Sequence, residues 1–191
     1  PVKAAGIKKL SGGLYLVTAS CDAGVPDYYK MSSEERAAAH KAKKDNADYE
    51  IFDEIPFWYN GSGVINKLRN RLFLFDERTG ELTPISEPLF NVTCYAVTGD
   101  LIVYSGEAYQ TRRTDRESFY RYRIGDKASQ CINDSRSYSE CSLFAVDNTI
   151  VLIGASRARY GECENPYFYT LCPETGEIKV LAETDLYVGN S

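Results

Sequence analysis

Short apolar runs separated by polar turns recur along this chain at a regular spacing. Residues 72–85 form one such run with a Thr-Gly-Glu turn, and residues 168–181 repeat the pattern. Thr79 and Thr175, which open the two turns, are 96 positions apart (175 − 79). A weaker copy at residues 119–126 lies between them, so the period is about half of that interval, the length of a repeat of four short strands.

A second pattern has the same period. Residues 94–104 and 143–153 each contain two apolar runs joined by a short turn, and they are offset by 49 positions (150 − 101). The runs are rich in β-branched and aromatic residues, which is typical of antiparallel hairpins, and none keeps a helical period. The sequence therefore predicts an all-β fold: a partial β-propeller of about three four-stranded antiparallel blades, with the first strand of a fourth and one helical insertion.

The repeat divides the chain into blades within one incomplete propeller spanning residues 1–191. We expect blade 1 at about 2–86 with an insertion at 22–66, blade 2 at about 90–133, blade 3 at about 138–184, and the start of blade 4 at 185–191. A propeller protects its strand edges by closing its ring, and three blades cannot do so. We therefore expect a piece of a longer protein whose open blade edges allow self-association.

The insertion contains a predicted helix. Ser32 and Glu35 match a capping box, and strong helix formers follow as far as Lys44, with acids at the start and bases at the end. The helix has almost no apolar stripe, so we expect it to be exposed to solvent. Its histidine, His40, is the only one in the chain and is interpreted as a surface residue.

The densest aromatic segment comes after this helix, at residues 49–61, and it includes Asp53, Glu54 and Trp58. Two interpretations are open. The segment could pack the insertion onto the sheet as a hydrophobic flap, or it could contact a ligand, because exposed aromatic patches often mark binding surfaces.

Composition excludes several classes of function. The net charge of −5 and the pI of about 5.1 argue against nucleic-acid binding, although five arginines form a local basic run, interpreted as a solvated loop and the outer face of a strand. These are Arg112, Arg113, Arg116, Arg121 and Arg123. No apolar stretch is long enough for a membrane span and no signal-like segment opens the chain, so we expect a cytoplasmic protein without a membrane partner.

The six cysteines form no Cys-x-x-Cys pair, so we expect neither a metal site nor a cofactor, and we interpret the cysteines as buried free thiols. Residues 154–158 imitate the Gly-x-Ser-x-Gly nucleophile elbow of hydrolases. A loop rich in glycine and proline follows in place of the required helix, and the repeat places Glu107 at the position of Ser156. We therefore predict no catalytic residue.

The segment at 49–61, with residues 67–76 and 79–83 after it, resembles the N-terminal propeller of the prolyl oligopeptidase family. The sequence Met-Ser-Ser-Glu-Glu at 31–35, ahead of Asp-Glu-Ile-Pro-Phe-Trp at 53–58, is similar to the acylaminoacyl-peptidase branch. The resemblance implies a seven- or eight-bladed propeller that caps a separate C-terminal α/β-hydrolase domain. Such enzymes carry their Ser-Asp-His triad in that domain, and this sequence does not contain it.

The resemblance leads to a functional hypothesis. The chain would be a non-catalytic propeller segment of a serine oligopeptidase, partnered by the C-terminal hydrolase domain of its parent chain and gating the access of short peptide substrates. Asp53, Glu54 and Trp58 are the candidate substrate-binding residues, since a carboxylate could pair with a peptide's free amino group. The alternative is a stand-alone propeller scaffold for protein–protein interaction.

Overall fold

A computed structural model of the chain describes residues 3–46, 48–49, 51–158 and 160–182, without the side chains of Lys3 and Glu162. It divides into two compact units. The first is drawn from residues 1–90 and 109–113, and the second from residues 91–108 and 114–191. The strand predicted to begin a fourth blade, at 185–191, lies outside the described residues.

The first unit is built on a four-stranded antiparallel sheet and the insertion between its second and third strands. In chain order its elements are β1 (Lys3–Lys9), β2 (Leu14–Asp22), a 3-10 helix (Tyr28–Lys30), α1 (Ser33–Asp45), the hairpin β3 (Trp58–Tyr59) and β4 (Gly63–Val64), β5 (Leu68–Asp76) and β6 (Leu82–Pro84). The sheet order is β1-β2-β5-β6. The chain therefore leaves the sheet after β2 and returns to pair with it in β5.

The predicted helix is confirmed. Ser32 is the N-cap, its hydroxyl accepts a hydrogen bond from the amide of Glu35, and the Glu35 carboxylate accepts one from the amide of Ser32. This reciprocal pair satisfies two amides that a helix otherwise leaves without partners. No residue of α1 is buried, in agreement with its lack of an apolar stripe.

Strand β5 buries two arginines beside apolar core residues. It pairs with β2 without interruption, so that Phe73 lies opposite Val17, Arg71 opposite Ala19, and Arg69 opposite Cys21. Because side chains alternate between the faces of a strand, Arg69 and Arg71 share the buried face with Phe73. Two cations thus extend the core toward the insertion.

The second unit is a continuous antiparallel sheet of seven strands in sequential order. These are β7 (Phe90–Thr98), β8 (Leu101–Ala108), β9 (Glu117–Arg123), β10 (Gln130–Val146), β11 (Thr149–Ala155), β12 (Tyr167–Leu171) and β13 (Ile178–Ala182), with a 3-10 helix (Gly161–Cys163) between β11 and β12. Its core consists of apolar side chains from β7 to β12, among them Leu101, Val103, Phe119, Leu143 and Leu152.

Strand β10 joins two sets of strand pairings. Its first part, from Gln130 to Tyr138, pairs with β9, and its second part, from Ser139 to Val146, pairs with β11. The register shifts three times along the strand, which lets one strand change partners without a loop.

The antiparallel sheets of both units confirm the all-β class. The number and bounds of the blades stay a prediction.

Among the described residues, no helix has both the length and the apolar character needed to cross a bilayer.

Candidate functional site

The site builds on the aromatic segment, defined here as residues 51–65, which a buried ion pair holds in place. The Glu54 side chain is 1% exposed and that of Arg69 is fully buried. Glu54 Oε1 accepts a hydrogen bond from Arg69 Nη2 at 2.6 Å, and Oε2 accepts one from Arg69 Nη1 at 3.1 Å. Oε2 also accepts one from the Lys67 amide at 2.8 Å. This two-pronged geometry is the strongest form of carboxylate recognition by arginine.

Every N–H of the Arg69 guanidinium has a partner. Besides Glu54, it donates to the carbonyl oxygens of Leu68, Leu89 and Tyr109 at 2.9 to 3.2 Å. Its central carbon also lies 3.6 Å from the centre of the Tyr109 ring. A buried arginine with all five donors satisfied is compatible with a stable core, because these hydrogen bonds offset the cost of desolvating the Arg69 guanidinium and the Glu54 carboxylate.

Backbone pairing fixes the segment further. The Ile55 amide donates to the carbonyl of Thr111 at 2.8 Å, and the amide of Arg113 donates to the carbonyl of Ile55 at 2.9 Å. The amide of Ile65 likewise donates to the carbonyl of Phe57 at 2.8 Å. The segment is therefore ordered by polar contacts along its backbone and at Glu54.

The large apolar side chains of the segment are nevertheless exposed, with between 42% and 70% of their surface accessible. They are Ile51, Phe52, Ile55, Phe57, Trp58, Tyr59 and Val64. The interpretation of a hydrophobic flap does not describe this segment, because the Glu54–Arg69 ion pair and backbone hydrogen bonds attach it while its large apolar side chains are exposed. Anchored apolar side chains that face solvent are typical of an interaction surface.

The three predicted site residues are placed differently. Asp53 is exposed and its carboxylate binds Lys67 Nζ at 2.7 Å, a hydrogen bond that holds the pKa of Asp53 below its usual value. Trp58 is half exposed and lies opposite Val64 in the hairpin. Glu54 is buried with both oxygens engaged, so the geometry gives it a positioning contact and no face toward a ligand.

Sequence reasoning missed Arg69 and Tyr109, which hold Glu54 in place. A signal was available in β5, where Arg69 and Arg71 occupy alternate positions, with Asn70 between them, just before the apolar run 72–75. Their strand period would have placed both arginines on one face.

Residues 154–158, which imitate a nucleophile elbow in sequence, do not form one in the structure. Ser156 Oγ donates to Glu164 Oε1 at 2.9 Å, and the 3-10 helix Gly161–Cys163 follows where an elbow needs an α-helix. His40 Nε2 lies 3.0 Å from the hydroxyl of Tyr28. In the described part of the chain, no group of three or more His, Cys, Asp or Glu side chains is arranged to hold a metal ion.

All six thiols are free, but the expectation that they are buried is wrong for Cys131, Cys163 and Cys172, which are exposed. Burial raises the pKa of Cys94 to about 12. Cys172 has a lowered pKa because the side chain and then the backbone of Thr175 bond to its sulfur. The thiols therefore differ widely in expected reactivity.

The basic run ends in an ion-pair cluster in the second unit. Arg121 and Arg123 project from β9 and both bind the carboxylate of Glu174, which lies in the turn after β12. Arg121 also donates to Gln130 Oε1 at 2.9 Å. The bonds from Arg121 and then from Arg123 hold the pKa of Glu174 below its usual 4.5. These two arginines thus fasten a turn.

Together, the fold and the site define an all-β protein with an anchored, exposed aromatic surface. Neither a scan against protein-family models nor a search of curated proteins found a match. Solved structures do match. Pyrococcus horikoshii acylaminoacyl peptidase, in an orthorhombic crystal form and in an uncomplexed structure, aligns with 93% of this chain at 16% identity and a TM-score of 0.56.

An acylaminoacyl peptidase in complex with Z-Gly-Gly-Phe-chloromethyl ketone gives a TM-score of 0.55 over the same 93%, also at 16% identity. The chain spans 25% of the length of each of these proteins. At this identity the likeness shows a shared fold.

Proposed function

We propose that this chain is a non-catalytic propeller segment of a serine oligopeptidase of the acylaminoacyl-peptidase type. Its role is to cap the C-terminal α/β-hydrolase domain of a longer parent chain and to gate the entry of short peptides. The observation that carries the proposal is the shared fold over 93% of this chain with a quarter of acylaminoacyl peptidase. The three blades predicted from the repeat belong to the same proposal.

The physical basis of gating is steric. A ring of blades over an active site admits an extended peptide and excludes a folded domain, which is too wide to enter. Free thiols are typical of a reducing compartment, which supports a cytoplasmic location for the parent enzyme.

The aromatic segment supplies the peptide-binding groups in this proposal. Trp58 offers a ring for an apolar side chain, and the exposed carboxylate of Asp53 pairs with the free amino group of a peptide by replacing Lys67. Glu54 contributes indirectly, because its bond to Arg69 fixes the backbone between Asp53 and Trp58.

Fluorescence tests the binding step on the chain itself, because Trp58 is the only tryptophan. We expect Ala-Ala-Phe amide to change the Trp58 emission saturably, and its N-acetylated form to bind at least about fivefold more weakly, a loss of about 1 kcal/mol. Asp53→Asn should weaken the free peptide to the same degree. Asp45→Asn is the matched control, since Asp45 also forms an exposed ion pair with a lysine, Lys41.

Two results would refute this binding mode: no saturable change with either peptide, or equal affinities for both. The assignment to a peptidase has a separate test in the parent open reading frame. A Gly-x-Ser-x-Gly hydrolase domain downstream of residue 191 would support it, and a stop codon there would reject it.

The exposed apolar surface also favours the second candidate, a stand-alone scaffold for protein–protein interaction. Pairing of the outer strands β1 and β13 with another copy is the accompanying proposal for self-association. A sedimentation measurement tests the self-association. An increase in mass with concentration supports strand pairing, and a monomer at all concentrations rejects it.

A further inference from the structure

A cavity of about 420 Å³ opens in the first unit, at the end of β2. Its wall is formed by the last residues of β2, the loop that follows, and the second half of α1. The residues that matter for its chemistry are Cys21, Asp22, Val25, Pro26, His40 and Lys43. Its volume lies within the range of about 300–1,000 Å³ that is usual for small-molecule sites.

Part of the lining of this cavity is apolar. Val25 and Pro26 come from the loop, Ala39 comes from α1, and Cys21 presents a thiol that behaves as a small apolar group when buried. Tyr28 also lines the cavity, and its hydroxyl lies 3.0 Å from His40 Nε2. An apolar group of the size of a phenyl ring or a short alkyl chain would be desolvated here.

The lining also includes basic side chains. Lys43 lines the cavity and forms no ion pair with any residue that the structure describes, whereas Lys41 on the same helix pairs with Asp45. His40 lies beside Lys43 in the lining, oriented by its bond to Tyr28. A free ammonium and an imidazole next to an apolar wall are suited to binding a carboxylate.

Arg71 adds positive charge behind the wall. It is 2% exposed and donates to the carbonyl oxygens of Pro26 and Ser86, at 3.1 and 2.9 Å. Its Nε has no hydrogen-bond partner in the described structure, and no described carboxylate forms an ion pair with it. A buried cation is usually paired, so an anion in the adjacent cavity would offset a charge that the fold leaves uncompensated.

Asp22 is the one acidic residue in the lining. Its Oδ1 accepts a hydrogen bond from the amide of Gly24 at 2.8 Å, so one of its carboxylate oxygens is already engaged within the turn. Against it stand Lys43 and Arg71, and the surroundings of the cavity therefore favour an anion.

We propose that this cavity binds a small apolar molecule carrying one carboxylate group. Its apolar part packs against Val25 and Pro26, and its carboxylate faces Lys43 and His40. This binding site does not depend on the peptidase hypothesis, because none of its residues belongs to the aromatic segment.

The single histidine makes the test specific, because one imidazole signal in the NMR spectrum of the untagged chain reports on this cavity. The probes are 4-phenylbutyrate and its uncharged analogue 4-phenylbutanol. We expect 4-phenylbutyrate to shift the His40 signal saturably and 4-phenylbutanol to bind at least about tenfold more weakly, which corresponds to about 1.4 kcal/mol.

Lys43→Met keeps the length of the side chain without its charge and should remove that preference for the acid. Lys41→Met, on the same helix but outside the lining, should leave it unchanged. Ala39→Phe fills the cavity and should abolish the shift with both probes. The proposal is overturned if neither probe gives a saturable shift, if acid and alcohol bind equally, or if the two lysine variants behave alike.

Discussion

The two Thr-Gly-Glu turns look equivalent in sequence, yet a methyl group added to their glycines should have very different effects. Gly80 and Gly176 both have positive φ, +72° and +70°. An alanine at either position pays the cost of a left-handed backbone, about 1–2 kcal/mol. Only Gly176 packs against another strand, where its own carbonyl accepts a hydrogen bond from Asn133 Nδ2 at 2.8 Å.

At Gly176 a Cβ would lie 2.5 Å from the carbonyl carbon of Ile132 and closer still to its oxygen. Both atoms belong to the backbone of β10, so no side-chain rotation can relieve the overlap. Overpacking of this kind costs about 1–3 kcal/mol. We therefore expect Gly176→Ala to lose about 2–5 kcal/mol of unfolding free energy, and Gly80→Ala only the backbone share, about 1–2 kcal/mol.

Urea unfolding followed by circular dichroism measures this difference. Gly161→Ala is the control within the second unit, because Gly161 has φ of +62° and its added Cβ would meet no atom within 4 Å. The reasoning is refuted if Gly176→Ala comes within about 0.5 kcal/mol of Gly161→Ala, the usual scatter of a surface substitution.

Three further predictions address charge and thiols. Glu54→Gln leaves the buried Arg69 without its carboxylate and should cost about 3 kcal/mol in urea unfolding; adding Arg69→Met should cost less than the sum of the single changes, and strict additivity would disprove the coupling. The pKa of Glu174 is lowered in the folded state, so the stabilisation by its carboxylate is complete above the usual pKa of 4.5 and is lost as the pH falls through the lower folded-state pKa. The difference in Tm between wild type and Glu174→Gln should therefore shrink between about pH 6 and about pH 3. A difference independent of pH would argue against that ion pair. Peptide mapping after brief iodoacetamide treatment should find Cys172 labelled first and Cys94 and Cys141, whose pKa values are raised by burial, labelled last. Equal labelling of all thiols would contradict the assigned environments.

Several features could be predicted from the sequence because they depend on neighbours in the chain. Alternating apolar runs and glycine turns predict antiparallel strands, and the structure confirms an all-β protein. The capping box at Ser32 and Glu35 needs only three residues of separation, and it forms as predicted. The exposure of α1 likewise follows from a polar pattern within a single helix.

The exposure of the candidate site residues could be predicted only in part. Asp53 and Trp58 are exposed as a binding role requires, but Glu54 is not. Its burial depends on Arg69, 15 residues away, whose guanidinium also binds the carbonyl of Tyr109, 40 residues further along. No local pattern encodes a contact between such separated groups.

The sequence by itself therefore determined the strands, the turns and the helix, since hydrogen bonds and side-chain periodicity act over a few residues. Only the tertiary structure decided which charges are buried and which of two identical turns can accept a methyl group. The physical reason is that desolvation and steric overlap depend on atoms brought together from distant parts of the chain. Gly80 and Gly176 show this directly, because they share a Thr-Gly-Glu sequence and nearly the same φ angle, but only at Gly176 would an added Cβ meet the backbone of a neighbouring strand.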